Sequence, residues 1–200
     1  MPKASDFFLT VVDFFAILVP GAVLAYLVSD LNWIGGALPA LDSGGRWVAF
    51  AVAAFLLGQV LYALGSWLLD PLYGITYVPY KEGKKKHESK ELLRTRVGAM
   101  MGDHAEVTDT YPWARAYVGT RDPASAASIA RIDADSKFFR ALTVVLGVAA
   151  VRFAAHGQLI AAFIVIVAAG ASFLRFSQQR WERDDTAYET ALTLPGAAYR

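Results

Sequence analysis

Residues 47–69 read WVAFAVAAFLLGQVLYALGSWLL, a run of 23 positions without a charge. About 20 apolar residues in a helix, rising 1.5 Å each, cross the ~30 Å hydrocarbon core of a bilayer. The stretch therefore predicts a transmembrane helix and sets the class of the chain. Residues 7–28 form a second apolar run, and residues 138–155 and 159–176 form two shorter ones. The last two are separated only by His156, Gly157 and Gln158, a connection so short that it forces an antiparallel hairpin. The expected fold class is an all-α membrane protein. Four transmembrane helices lie in two hairpins, with a cytoplasmic helical bundle formed by the 70–138 insert and the C-terminal helix extension.

Composition points the same way. With 56% hydrophobic and 18% charged residues, the chain is too apolar for an ordinary soluble domain of its length. The absence of Cys excludes disulfides, thiolate metal sites and Cys nucleophiles. A signal peptide is not expected, because the first apolar run exceeds the usual 7–15 residue hydrophobic region and contains Asp13.

The charges are segregated: 11 of 19 Lys and Arg residues lie between positions 71 and 137. The outer loop, 29–46, carries one basic residue, and the turn at 156–158 carries none. Excess Lys and Arg marks cytoplasmic loops, so the insert 70–137, the tail 177–200 and both termini are expected on the cytoplasmic side. Trp33 and Trp47 at the outer boundary, and Tyr73, Tyr77 and Tyr80 at the inner one, fit aromatic belts. Small residues recur on helix faces: Gly21, Ala25 and Ser29; Ala51, Ala54, Gly58 and Gly65; Ala150 and Ala154. Such faces let helices approach closely, within one chain or between copies.

Inside the insert, Asp70 and Pro71 are expected to end the second helix. A helix should then run from Lys84 to about Met101 with Leu92, Leu93, Val97 and Met100 on its apolar side, closed by Gly102 and Asp103. A shorter helix is expected over 112–118, and Asp122 followed by Pro123 reads as another helix start. From there no breaker occurs before His156, so about 33 residues should form one helix of ~50 Å reaching into the third crossing. The fourth should likewise continue to Pro195, with Trp181, Tyr188, Ala191 and Leu192 packing on the insert.

The candidate sites follow from charge. Residues 81–96 hold seven basic groups, Lys81, Lys84, Lys85, Lys86, Lys90, Arg94 and Arg96, against three glutamates. Beyond them, residues 97–137 reverse the sign, with six acidic and four basic groups. Such a cluster either meets anionic lipid headgroups or binds a polyanion, a nucleotide or a short single-stranded nucleic acid, with Tyr80, Trp113 or Tyr117 stacking on bases. No glycine-rich phosphate loop accompanies it. Asp13, Gln59 and Arg152 are the polar groups within the apolar runs. Asp13 precedes Pro20 and Gly21, which interrupt the first helix; fifteen residues from Phe14 to Val28 span only about 22 Å, so Asp13 is expected to be partly buried. Arg152 either snorkels to the outer interface near Asp30 or Asp42 or lines an aqueous path, and Gln59 either faces that path or bonds a neighbouring helix. His87, Asp103, His104 and Asp109 are the only material for an enzyme. They form no recognised catalytic or metal motif, so no catalytic residue, metal or cofactor is expected.

The layout as a whole, with Asp13 ahead of Pro20 and Gly21, a charged helical insert, and Lys137-Phe138-Phe139-Arg140-Ala141-Leu142 leading into a short hairpin, resembles small membrane proteins of bacterial anti-phage defence operons. In those systems, CBASS and the DNA-oligomer-based Hailong system, such proteins look like membrane-damaging effectors paired with a nucleotidyltransferase. The resemblance implies a homo-oligomer, a tetramer by preference, in the bacterial inner membrane, permeable to ions and controlled by a nucleotide or oligonucleotide at its cytoplasmic face. The rival readings are a non-conducting scaffold that docks a cytoplasmic protein and, third, a membrane-embedded enzyme.

Overall fold

A computed structural model describes residues 4–28, 43–76, 81–101 and 109–194, with side chains over 14–28, 44–72, 91–101 and 109–194. All regular structure among them is helical: α1 (Ala4–Val28), α2 (Ser43–Thr76), α3 (Lys81–Met101), α4 (Thr110–Arg121), α5 (Pro123–Ala155) and α6 (Leu159–Thr193). Three helices, over Gly44–Leu72, Pro123–Ala155 and Leu159–Thr193, are long and apolar enough to cross a membrane, and Phe14–Val28 is a shorter apolar helix. The chain is an all-α, membrane-type protein.

The helix starts have local causes. At α5 the Asp122 carboxylate accepts hydrogen bonds from the Ala124 and Ser125 backbone N–H groups, at 3.1 and 3.2 Å, and from the Ser125 hydroxyl. It thereby satisfies two of the donors that a helix N-terminus leaves open. Those bonds, the Ser125 hydroxyl first, hold the Asp122 carboxyl below its usual range. From Pro123 the helix runs unbroken for 33 residues, as the lack of breakers predicts. It stops at the expected turn, where Gly157 adopts φ 73°, a left-handed conformation that a Cβ disfavours. The 35-residue α6 continues to Thr193, also as expected.

Three expectations fail. Asp70 and Pro71 do not end the second helix, since α2 continues through them to Thr76. A proline removes one backbone hydrogen bond. Here the turn before it is fixed from outside, by Arg140 bonding Ser66 and Asp70. Pro20 and Gly21 likewise lie within a continuous α1. Leu92, placed on the apolar side of α3, is 62% exposed, and Met101 is buried with Val97.

The described residues fall into two compact units. One is drawn from Met1–Leu72 and Ala134–Phe176, the other from Tyr73–Asp133 and Ser177–Arg200. In the first, α1 and α2 meet backbone to backbone. A Cβ on Gly21 would fall on the Ala54 carbonyl and 2.6 Å from the Gly58 nitrogen, and one on Gly58 would fall on the Ile17 carbonyl. Gly21, Ala54 and Gly58 thus serve packing within the chain, whereas Ala51 and Ala154 of the same small-residue faces are exposed. Leu61, Ala141 and Val145 form the adjoining core, flanked by Leu24 and Leu27. In the second unit Val97 and Met101 of α3, Ala114 and Val118 of α4, Ile129 of α5 and Ala187, Tyr188 and Ala191 of α6 form one core. Tyr188, Ala191 and Leu192 therefore pack as the sequence predicts.

Candidate functional site

The basic run predicted as the polyanion site lies on α3, which carries Lys81, Lys84, Lys85, Lys86, Lys90, Arg94 and Arg96. The side chains of the five lysines lie outside the described residues. Arg94 and Arg96 are exposed, and Arg94 lies 4.0 Å from Glu91. An exposed pair of that length contributes little to stability and leaves the arginine accessible to an anion.

Of the three proposed stacking residues, Tyr80 lies outside the described residues. Trp113 and Tyr117, one helical turn apart on α4, stack on each other with centroids 5.0 Å apart and planes 18° apart, and both rest on the core of their unit. The Arg121 guanidinium lies 4.1 Å from the Tyr117 centroid and bonds its hydroxyl. The result is a ladder of two rings and a cation along one face of α4, at i, i+4 and i+8. One face of Trp113 and both faces of Tyr117 are spent inside the ladder.

The same unit holds a buried polar cluster that the net-charge reading missed. Asp133 is 6% exposed. Its carboxylate accepts a 2.7 Å bond from Arg183 and sits 3.7 Å from Arg115. Arg183 also bonds Asp184 through Nε and Nη2, at 3.0 and 2.8 Å, and lies over the Tyr111 ring, 4.1 Å from its centroid. Two arginines balance two aspartates, as a buried charge requires. The signal that could have found it is the Arg183-Asp184-Asp185 run inside a helix whose neighbours are buried.

The Tyr111 hydroxyl is buried and accepts no bond among the described residues. Burial pushes its ionisation up to about 12, against the opposing pull of Arg183. An unfolded tyrosine ionises near 10. Between those pH values the unfolded chain has released a proton that the folded one keeps, so stability is complete below pH 10 and falls as pH rises toward 12. Tyr111→Phe should remove that part of the alkaline loss. It should also raise stability at neutral pH by about 1 kcal/mol, since a buried hydroxyl without a partner costs more than it returns. Urea unfolding at pH 7 and pH 11 checks both.

In the other unit Arg140, 6% exposed, bonds Asp70 at 3.3 Å and Ser66 at 3.4 Å and lies 4.4 Å from the Tyr62 centroid. Its stem passes over Gly65, where a Cβ would lie 3.0 Å from the arginine Cγ. Arg152 donates to the Leu27 carbonyl at the end of α1, a favourable place for a cation at a helix C-terminus. Asp30 and Asp42, its expected partners, lie outside the described residues. Asp13 lies on α1, its side chain also outside them. Gln59 is exposed and has no hydrogen-bond partner among the described residues. Of the enzyme candidates, Asp109 is the N-cap residue of α4; Asp103, His104 and the His87 side chain fall outside the described residues. Among the described residues no group of three His, Asp or Glu could hold a metal ion.

No protein-family model, no curated protein and no solved structure matches the chain.

Proposed function

We propose that the chain is a multi-pass protein of the bacterial inner membrane that assembles with copies of itself into a pore-forming or membrane-disrupting effector. It crosses four times, through residues 7–28, 47–69, 138–155 and 159–176, with both termini and residues 70–137 in the cytoplasm. A nucleotide or oligonucleotide, made by a nucleotidyltransferase partner, regulates it through Lys84, Lys85, Lys86, Lys90, Arg94 and Arg96, with Trp113 and Tyr117 nearby in sequence.

The observation that carries the reading is how little of the apolar helices the chain covers. In the most apolar windows of α2, α5 and α6 only 22%, 28% and 17% is buried. The remainder needs lipid or further copies of the chain. Beside this surface in the sequence stands a helix, α3, rich in cations, and cations neutralise phosphates without a dedicated loop.

The test is reconstitution into liposomes loaded with a self-quenched dye, with single-stranded oligonucleotides added to the cytoplasmic face. Dye or ion release that the oligonucleotide alters is the expected result, and vesicles that stay tight under every condition overturn the pore. Replacing Lys84, Lys85 and Lys86 with glutamine should weaken oligonucleotide binding and lower the log–log salt slope by about 2, at ~0.7 per phosphate contact. Unchanged affinity and slope would remove the site from α3.

A further inference from the structure

Helix α2 carries two seams of the same spacing. Ala54, Gly58, Leu61 and Gly65, at intervals of 4, 3 and 4, are all buried within their own unit, against Ile17 and Gly21 of α1 and against Ala141, Val145 and Arg140 of α5. Val52, Leu56, Gln59 and Ala63 repeat those intervals two residues earlier, about 200° round the helix. All four are exposed, Val52 and Leu56 by 54% and 59%. Intervals of 4, 3 and 4 keep one line of side chains facing a neighbouring helix that crosses at a shallow, left-handed angle. The first seam has its neighbour and the second has none among the described residues.

Gln59 says what that neighbour must supply. The candidate span Gly44–Leu72 has its midpoint at residue 58, so the Gln59 amide lies one residue from the centre of the crossing. Hydrocarbon offers an amide nothing to bond, and an apolar helix offers it no more. Another carboxamide engages both its carbonyl and an N–H, since each is donor and acceptor at once. In a ring of identical chains about an axis normal to the membrane, the same residue of the next copy arrives at the same depth.

We infer that the Val52-Leu56-Gln59-Ala63 face of α2 is the contact between copies of this chain, parallel and in register, with Gln59 bonded to Gln59 of the next copy and fixing the register. The inference rests on the membrane reading above and names the surface through which that assembly forms. A single polar residue within an otherwise apolar seam specifies register in the same way in coiled coils.

The chain contains no Cys, so single-cysteine variants report contacts without background. Ala63→Cys and Val52→Cys, oxidised with copper phenanthroline in native membranes, should link into dimers. Leu64→Cys, at the same depth but one position round the helix, should not. Adding Gln59→Leu to Ala63→Cys should lower the linked fraction about tenfold, whereas Gln59→Asn retains most of it. Equal linking at positions 63 and 64, no linking at 52 and 63, or indifference to Gln59→Leu overturns the inference while leaving dye release to judge the pore. A chain stripped from membranes by alkaline carbonate overturns the membrane reading and this inference together.

Discussion

Leucine at Gly58 is expected to separate α1 from α2 and to lower the stability of their unit by at least about 3 kcal/mol, because no rotamer avoids the backbone of Ile17. The same holds for Gly21, whose Cβ would meet the carbonyl of Ala54 and the nitrogen of Gly58. Neither clash involves the movable end of a side chain, so the helices must shift rather than the rotamers. Gly147 is the internal control. A Cβ there meets nothing within 4 Å, and Gly147→Ala should stabilise by about 0.5–1 kcal/mol through helix propensity alone. Thermal unfolding in a mild detergent distinguishes the three variants. A Gly58→Leu protein that unfolds with the wild type would mean that the two helices do not touch.

The second large effect belongs to Arg183. Arg183→Met leaves Asp133 and Asp184 without the guanidinium that bonds both, and breaking a buried ion pair on one side costs about 3–5 kcal/mol. Replacing Arg183 and Asp133 together with apolar residues should recover much of that loss, because no uncompensated charge then remains at position 133. Arg183→Lys should fall between. An ammonium can follow the charge, but it cannot lie flat over Tyr111 while donating to two carboxylates. A double-mutant cycle read by urea unfolding measures the coupling, and additive losses would show that the pair is not energetically linked.

The sequence made the elements plain where one local signal decides them. The apolar runs, the three-residue turn at His156, the capped start at Asp122 and the uninterrupted length of α5 and α6 all depend on short-range rules. What stayed hidden depends on partners far along the chain. Pro71 reads as a helix end until Arg140, 70 residues away, is seen bonding Asp70. Leu92 and Leu93 are equivalent by periodicity until the core is seen to lie on the side of Leu93. Asp133 and Arg115 entered the charge count of residues 97–137 as one minus and one plus. A sum of that kind erases the fact that they lie beside each other and beside Arg183. The role proposed for α3 is legible only as charge, since chemistry that would recognise phosphate by cations alone leaves no spacing to read.

The two units are interleaved along the chain, and this sets an order of assembly during synthesis. The Gly21 and Gly58 packing is available as soon as α2 has emerged, but its unit cannot close until residues 140 and 152 arrive to reach Asp70 and the Leu27 carbonyl. The other unit waits longer, because its core needs Ala187, Tyr188 and Ala191. A ribosome that has made residues 1–133 therefore holds α3 and α4 complete with no finished core beneath them. Any activity that depends on that core is withheld until Ala191 has been translated.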